Sequence, residues 1–203
     1  MHGQELRRKL VLAECEGKSV LDLGCAARSS GFRLHDEICK VAERCVGLDI
    51  DKQGIEQMAG EGFEVRHADA EEFDIGERFE VAVLGELPEH LLNIGRVLDG
   101  VRRHLVSGGK MIITTPNPFN PSVFIQYELN DSGDRSHVAY YSPNIFRRLA
   151  RRYGFTEKKV VWIQKNLSEP KTLRGKLFVL LGRFLIPKRF SAECWLGVYK
   201  NGL

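Results

Sequence analysis

Short runs of apolar residues recur along the chain, separated by longer segments with helical periodicity. Within these runs the apolar residues are continuous rather than alternating, as in Val81–Leu84, which is typical of strands covered on both faces. The predicted strands are Ser19–Leu23, Cys45–Asp49, Phe63–His67, Phe79–Leu84, Lys110–Thr115, Lys158–Gln164 and Cys194–Tyr199. Because strands that alternate with helices build right-handed βαβ units, we expect an α/β protein with a doubly wound, largely parallel sheet.

Helical patterns fill several of the intervening segments. The predicted helices are Gly31–Ala42, Lys52–Ala59, Asn93–His104 and Ser142–Tyr153. The last of them opens with a capping serine followed by proline at the first helical position, and Gly154 is placed to end it. A chain of 203 residues is long enough to bury one substantial core. We therefore expect a single domain over residues 1–203, with 1–17 as a leading helix.

Composition argues against several classes of protein. Hydrophobic residues make up 43% of the chain and charged residues 28%, and no segment approaches the ~20 consecutive apolar residues of a membrane-spanning helix. The first residues lack the apolar run of a secretory signal, so we expect a cytoplasmic protein. The five cysteines include no Cys-x-x-Cys pair. This pattern predicts reduced thiols rather than a disulfide framework or a thiolate metal site.

The first two predicted strands end in residues that suit a nucleotide. Asp22-Leu23-Gly24-Cys25-Ala26 runs from a strand into a turn of small residues, where Gly24 lets a ligand approach the backbone closely. The second strand ends at Asp49, whose carboxylate can accept hydrogen bonds from both hydroxyls of a ribose. These two features alone leave a nucleotide site and a purely structural turn open.

Five blocks taken together resemble the class I methyltransferases that depend on S-adenosylmethionine (SAM). The blocks are Val20-Leu21-Asp22-Leu23-Gly24-Cys25, Val46-Gly47-Leu48-Asp49-Ile50-Asp51, His67-Ala68-Asp69-Ala70, Phe79-Glu80-Val81-Ala82-Val83-Leu84 and Leu105-Val106-Ser107-Gly108-Gly109-Lys110. They occur in the family's order, and the resemblance extends from Lys18 to Phe155. It implies a Rossmann-like sheet of seven strands in the order 3-2-1-4-5-7-6, with the last strand antiparallel and the ligand cleft above strands one and four.

The resemblance also implies roles for individual residues. The implied SAM-binding residues are Asp22 and Gly24 at the methionine end, Asp49 at the ribose, Ile50, Asp69 and Ala70 at the adenine, and Gly85 below the sulfonium. The chain departs from the family where a Gly-x-Gly usually follows the cysteine, because Ala26-Ala27-Arg28 stands there instead. We expect a reshaped loop, in which Arg28 is either a solvated residue or a bidentate partner of the SAM carboxylate.

Two later loops resemble a narrower set of O-methyltransferases, which includes the ubiquinone-pathway enzymes and the small-RNA terminal 2′-O-methyltransferases. These loops carry Gly85-Glu86-Leu87-Pro88-Glu89-His90, Thr114-Thr115-Pro116-Asn117-Pro118 and the later His137. In such relatives the glutamates and histidines can bind a divalent cation, and the matching ligands are Glu86, Glu89, His90 and His137. Without a metal, His90 or His137 is the candidate catalytic base, and a structural histidine is the competing interpretation.

An insert of basic and apolar residues over 168–190 is predicted before the last strand. Within it, 171–189 fits an amphipathic helix in peripheral contact with a membrane surface. It fits equally a helix that covers the acceptor pocket or docks on the sheet edge. The excess of Lys and Arg between Arg147 and Arg189 would suit an anionic partner.

Several functions remain open on the sequence alone. The preferred hypothesis is SAM-dependent O-methylation of a small-molecule, glycan or lipid-linked acceptor. RNA 2′-O-methylation ranks lower because a net charge of +3 is modest for a nucleic-acid binder. A dinucleotide-dependent oxidoreductase would need a Gly-x-Gly-x-x-Gly turn that the first strand lacks. A non-catalytic SAM-binding protein is favoured only by the missing Gly-x-Gly.

Overall fold

A seven-stranded sheet forms the centre of the protein, in a computed structural model that describes residues 3–26, 33–126, 133–164 and 187–202. The strands are β1 (Ser19–Leu23), β2 (Arg44–Asp49), β3 (Val65–His67), β4 (Phe79–Gly85), β5 (Leu105–Pro116), β6 (Phe155–Gln164) and β7 (Ala192–Asn201). Their order across the sheet is β3-β2-β1-β4-β5-β7-β6. The pairs from β3 to β5 are parallel, and β7 runs antiparallel to both neighbours. The predicted strand order and the antiparallel last strand are confirmed.

Helices connect the strands and cover both faces of the sheet. They are α1 (Gly3–Cys15), α2 (Leu34–Val41), α3 (Lys52–Gly60), α4 (Ile94–Arg103), α5 (Pro121–Phe124), α6 (Pro143–Arg152) and α7 (Lys188–Ser191), with a 3₁₀ turn at Pro88–His90. Local capping explains where α6 begins and ends. The Ser142 side chain accepts a hydrogen bond from the Ile145 N–H, and Gly154 follows the helix with φ of 81°, a conformation that glycine adopts at low cost.

The core has two layers because neighbouring residues of each central strand face opposite sides of the sheet. On one side, Leu21 and Leu84 pack with apolar residues of α4 and α6 and with Trp195. On the other, Val20 and Val83 pack with residues of α1 and α2. All these side chains are buried. Burial on both faces accounts for the continuous apolar runs that predicted the strands.

The observed elements differ from the sequence expectations mainly at their ends. The strand β5 begins at Leu105 rather than Lys110, because its pairing with β4 shifts register between Phe79 and Val81. Gly108, with φ of 75°, lies in this irregular stretch, so the Gly-Gly block belongs to a bulged strand. The expected helix Gly31–Ala42 is described from Leu34 onwards.

Two of the sequence predictions fall on parts of the chain outside the described residues. Arg28 belongs to the stretch 27–32, and most of the predicted insert belongs to 165–186. Among the helices that the structure describes, none is both long and apolar enough to cross a membrane. The five cysteines are free, and four of them are buried.

Candidate functional site

Two cavities open side by side at the carboxyl ends of β1, β2 and β4. The Asp49 cavity, of about 380 Å³, is bordered by Asp49, Asp69 and Ala70. The histidine cavity, of about 360 Å³, is bordered by Arg7, Glu89 and His137. They share Gly24, Gly85, Glu86 and His90. An elongated ligand can therefore occupy both, at the position where open α/β sheets bind their ligands.

The turn after β1 forms the floor between the two cavities. Gly24 has φ of 81°, and its N–H donates to the carbonyl of Leu48 at 2.8 Å, so the turn is fastened to β2. A side chain on Gly24 would be strained by this φ and would contact Leu87 at 3.4 Å. Glycine here keeps the backbone accessible from the cavities.

Asp22 lies beneath this turn, where its carboxylate is almost fully buried. His35 in α2 is its partner, with Nδ1 at 3.0 Å from Oδ2 of Asp22. Burial raises the pKa of Asp22, although the hydrogen bond with His35 opposes that effect. Burial lowers the pKa of His35, but the hydrogen bonds with Asp22 and Cys39 outweigh it and raise the value to about 9. The pair therefore holds a proton between carboxylate and imidazole at the wall of the histidine cavity.

Asp49 ties the tip of β2 to the turn after β1. Its Oδ2 accepts a hydrogen bond from the backbone N–H of Ala26 at 2.9 Å, and its Oδ1 accepts one from Asp51 at 2.8 Å. An ionised carboxylate has about four lone-pair directions. Asp49 consequently keeps acceptor capacity for two hydroxyl groups that approach from the cavity.

Exposed apolar side chains flank the Asp49 cavity. Ile50 is 67% exposed and Leu92 is 85% exposed, and both border this cavity. The loop that carries Leu92 is fixed by Glu71, whose Oε1 accepts hydrogen bonds from the N–H groups of Leu92 and Asn93 at 2.8 and 3.0 Å. Large apolar side chains left in water beside a cavity suit a flat apolar ligand group. The sequence reasoning identified Ile50 but missed Leu92.

Glu86, directly after β4, has an unusual backbone. Its φ of 53° lies in the left-handed region, which is uncommon for residues other than glycine. The conformation is held because the Glu86 N–H donates to both the carbonyl and the hydroxyl of Thr114, at 2.9 and 3.0 Å. It directs the carboxylate to an ion pair with Arg7 of α1. Arg7 is the only Lys or Arg among the described residues that border the histidine cavity.

Glu89 is buried, with 1% of its surface exposed. Its Oε2 accepts a hydrogen bond from the Thr115 hydroxyl at 2.9 Å. Burial raises the pKa of Glu89 to about 7, and hydrogen bonds lower it only partly. The backbone carbonyl of Glu89 accepts the N–H of Val138 at 2.8 Å, which docks the segment around His137 onto the 3₁₀ turn.

His90 and His137 face each other across the mouth of the histidine cavity. Their ring centroids are 4.7 Å apart, and the rings are nearly perpendicular. Nδ1 of His90 lies 3.0 Å from the Ser136 hydroxyl, and Nδ1 of His137 lies 3.1 Å from the Tyr140 hydroxyl. Burial and the charge of His90 lower the pKa of His137. His137 therefore favours its neutral form, which can accept a proton.

The predicted ligand set is only partly brought together. One donor atom each from Glu89, His90 and His137 lies within 4.8 Å of the others. Glu86 is not in this group, because its carboxylate is paired with Arg7. The sequence reasoning missed Arg7 and His35, which enter the site from helices whose patterns carry no motif.

Comparison with known proteins identifies the family. A family model described as a methyltransferase domain matches residues 4–159. The chain belongs to the class I SAM-dependent methyltransferases. Among curated relatives, this methyltransferase is 30% identical over 113 residues to the ubiquinone biosynthesis O-methyltransferase of Azorhizobium caulinodans, a match that covers 52% of this chain and 43% of the relative. The chain spans about half the length of the curated relatives it matches.

Solved structures share the fold of this methyltransferase at low sequence identity. A SAM-dependent methyltransferase from Archaeoglobus fulgidus has a TM-score of 0.68 and 19% identity, with 98% of this chain and 92% of that chain covered. The N-methyltransferase NodS from Bradyrhizobium japonicum, solved with S-adenosyl-L-homocysteine (SAH), has a TM-score of 0.65 and 15% identity, with 99% and 88% covered. At these identities the likeness establishes the fold alone.

Proposed function

We propose that this protein is a SAM-dependent methyltransferase that binds SAM across the two cavities and methylates a hydroxyl group of its acceptor. The observation that carries the proposal is the junction of the cavities at Gly24 and Gly85, the ends of β1 and β4. One ligand can then place an adenosine in the Asp49 cavity and an amino-acid group in the histidine cavity. Family membership supports the choice of SAM.

The Asp49 cavity suits the adenosine half of SAM. Asp49 has free acceptor capacity for the two ribose hydroxyls, and charge-assisted hydrogen bonds of this kind are among the strong ones. Ile50 and Leu92, both exposed, can cover the two sides of an adenine ring. Asp69 and Ala70 border the same cavity and can contact the edge of the base.

The histidine cavity has the charges that a methionine group requires. The guanidinium of Arg7 matches a carboxylate in geometry and charge. Glu86 and Asp22 border the same cavity and can attract an ammonium group. We therefore assign the amino-acid end of SAM to the space between Arg7 and the turn at Gly24.

His90 and His137 have the chemistry of a base for a hydroxyl acceptor. When bound, SAM supplies an activated methyl group, and the acceptor oxygen gains the methyl while SAH is released. The hydroxyl must also lose its proton. A neutral imidazole at the cavity mouth can take this proton, and the lowered pKa of His137 keeps its ring ready to do so at neutral pH. The remaining task of the protein is to align the acceptor oxygen with the methyl group.

The same side chains form a partial fit to a divalent cation. Glu89, His90 and His137 offer one carboxylate and two imidazoles within 4.8 Å, a donor set that suits Mn²⁺ or Zn²⁺ better than Mg²⁺. Glu86 would have to leave Arg7 to complete the predicted four ligands. A cation held here would lower the pKa of the acceptor hydroxyl.

The proposal is tested by an acceptor screen that detects SAH release. The purified protein is incubated with SAM and with panels of phenols, sugar alcohols, lipid-linked glycans, amines and short RNAs, each with EDTA and with Mn²⁺. We expect turnover with a hydroxyl-bearing small molecule, glycan or lipid-linked acceptor. Turnover confined to amines would contradict O-methylation, and turnover confined to RNA would favour a 2′-O-methyltransferase. SAM binding without turnover on any panel would favour a non-catalytic SAM-binding protein.

A further inference from the structure

Two thiols and an imidazole form a cluster next to the histidine cavity. The proposed methyl transfer does not use this cluster. Cys39 lies in the last turn of α2, and Cys45 lies near the start of β2. His35, one turn before Cys39, contacts both thiols. One donor atom from each of the three residues lies within 4.8 Å of the others.

Hydrogen bonds arrange these groups in a line. The Sγ of Cys39 lies 3.3 Å from Nε2 of His35, and Nδ1 of the same ring lies 3.0 Å from the Asp22 carboxylate. A thiol next to an imidazole that a buried carboxylate orients is the arrangement that produces a reactive thiolate. The Sγ of Cys45 is 3.7 Å from Nδ1 of His35, so a second thiol adjoins the same ring.

The two thiols differ in accessibility and in acidity. Cys39 is half-buried, whereas Cys45 and His35 are buried. The interaction of each thiol with the other lowers the pKa of Cys39, with help from His35, and raises that of Cys45. An accessible thiolate beside a buried thiol has the organisation of an attacking and a resolving cysteine.

We propose that Cys39 and Cys45 are a peroxide-sensitive thiol pair in which His35 positions the attacking thiolate. The Cys39 thiolate attacks one oxygen of hydrogen peroxide, the O–O bond breaks, and the departing hydroxide takes a proton to leave as water. Cys39 is thereby oxidised to a sulfenic acid. The Cys45 sulfur then attacks the Cys39 sulfur, a disulfide forms, and the Cys45 proton and the sulfenic hydroxyl leave as a second water. The peroxide supplies both oxidising equivalents.

Oxidation also has a consequence for the binding site, an effect that rests on the proposed function. A disulfide removes the Cys39 partner of His35, whose other ring nitrogen is bonded to Asp22. Both His35 and Asp22 border the histidine cavity. We therefore expect the oxidised protein to bind SAM more weakly than the reduced protein does.

The test is differential alkylation with mass spectrometry. The reduced protein is treated with hydrogen peroxide, its remaining thiols are alkylated, and its peptides are analysed. We expect a Cys39–Cys45 disulfide that forms about tenfold or more faster than any oxidation of Cys15 or Cys194, two buried cysteines outside the cluster. Oxidation of Cys39 no faster than of these internal controls, or pairing of Cys39 with another cysteine, would overturn the proposal.

Two variants separate chemistry from folding. In Cys45→Ser, oxidation should stop at a Cys39 sulfenic acid that dimedone labels. In His35→Asn, the pH at which Cys39 becomes alkylated should rise, which a purely structural role of His35 would not cause. An unchanged pH profile in a folded His35→Asn protein would contradict the positioning role. Failure of the reduced wild-type protein to bind SAM would count against the proposed function, whereas the peptide analysis decides the thiol chemistry independently.

Discussion

Arg7 of the leading helix and Glu86 at the end of β4 form an ion pair beside the histidine cavity. The Arg7 side chain is only 13% exposed, although it carries a full charge. Buried charges are costly unless they are paired. The pair therefore fastens α1 to the carboxyl edge of the sheet, at the border of the cavity assigned to the amino-acid end of SAM.

The first prediction concerns Arg7. Because Arg7 is assigned to the SAM carboxylate, Arg7→Ala should weaken SAH binding by about 1–3 kcal/mol. Binding of methylthioadenosine, which lacks the amino-acid group, should change much less. Calorimetric titration of both ligands measures this split. Arg8→Ala, which removes an exposed neighbouring charge, is the matched control. Equal losses for the two ligands would show that Arg7 acts only through the packing of α1.

The second prediction concerns the stability contributed by Glu89. Its pKa is raised from 4.5 to about 7 in the folded protein, mainly by burial. The folded state therefore binds this proton more tightly than the unfolded state does. The resulting stability is fully present below pH 4.5 and is lost as the pH rises through 7.

Glu89→Gln should remove this dependence on pH. As the pH is raised from 5 to 8, the free energy of unfolding of wild type should fall by on the order of 2–3 kcal/mol more than that of the variant. Urea denaturation at both pH values measures the difference. Glu56→Gln, at an exposed position of α3, should show little change. If Glu89→Gln behaved in the same way as this control, Glu89 would not carry a raised pKa.

The third prediction concerns the two histidines of the cavity mouth. Once an acceptor is known, His90→Ala or His137→Ala should lower kcat, and loss of the one that acts as base should cost about 10²–10⁴-fold. SAM affinity should stay nearly unchanged. The wild-type rate should fall on the acid side only below pH ~6.5, the ordinary histidine value, because the pKa of His137 is lowered. Loss of activity in EDTA, restored by Mn²⁺, would instead assign both residues as metal ligands.

The edge of the sheet that carries the two cavities could be predicted from the sequence because its residues are adjacent to strands. Gly24 and Asp49 each follow an apolar run, and parallel strands bring their carboxyl ends to one edge. Arg7 could not be found in this way. Its partner Glu86 is distant from it along the chain, and their contact depends on how α1 packs on the sheet. Neither the periodicity of α1 nor a local motif encodes that packing.

The thiol cluster shows a related limit of sequence patterns. No Cys-x-x-Cys pair marks these residues in the sequence. Cys39 and Cys45 nevertheless lie close together, because α2 ends and β2 begins between them. Leu92 was missed for a different reason, since an isolated exposed leucine in a loop has no periodicity. Its position at the Asp49 cavity, which Ile50 also borders, is visible only in the folded structure.

Whether SAM binds at Asp49 is decided by calorimetric titration of the purified protein with SAM and SAH, with Asp49→Ala and Asp51→Ala as a matched pair. Both variants remove a carboxylate near the tip of β2, but only Asp49 is assigned to the ribose. We predict saturable binding to wild type, a loss of about 1–3 kcal/mol in Asp49→Ala, and near wild-type affinity in Asp51→Ala. Absence of binding by either ligand to the folded wild-type protein would contradict SAM binding, and equal affinity of the two variants would contradict the assignment of Asp49 to the ribose.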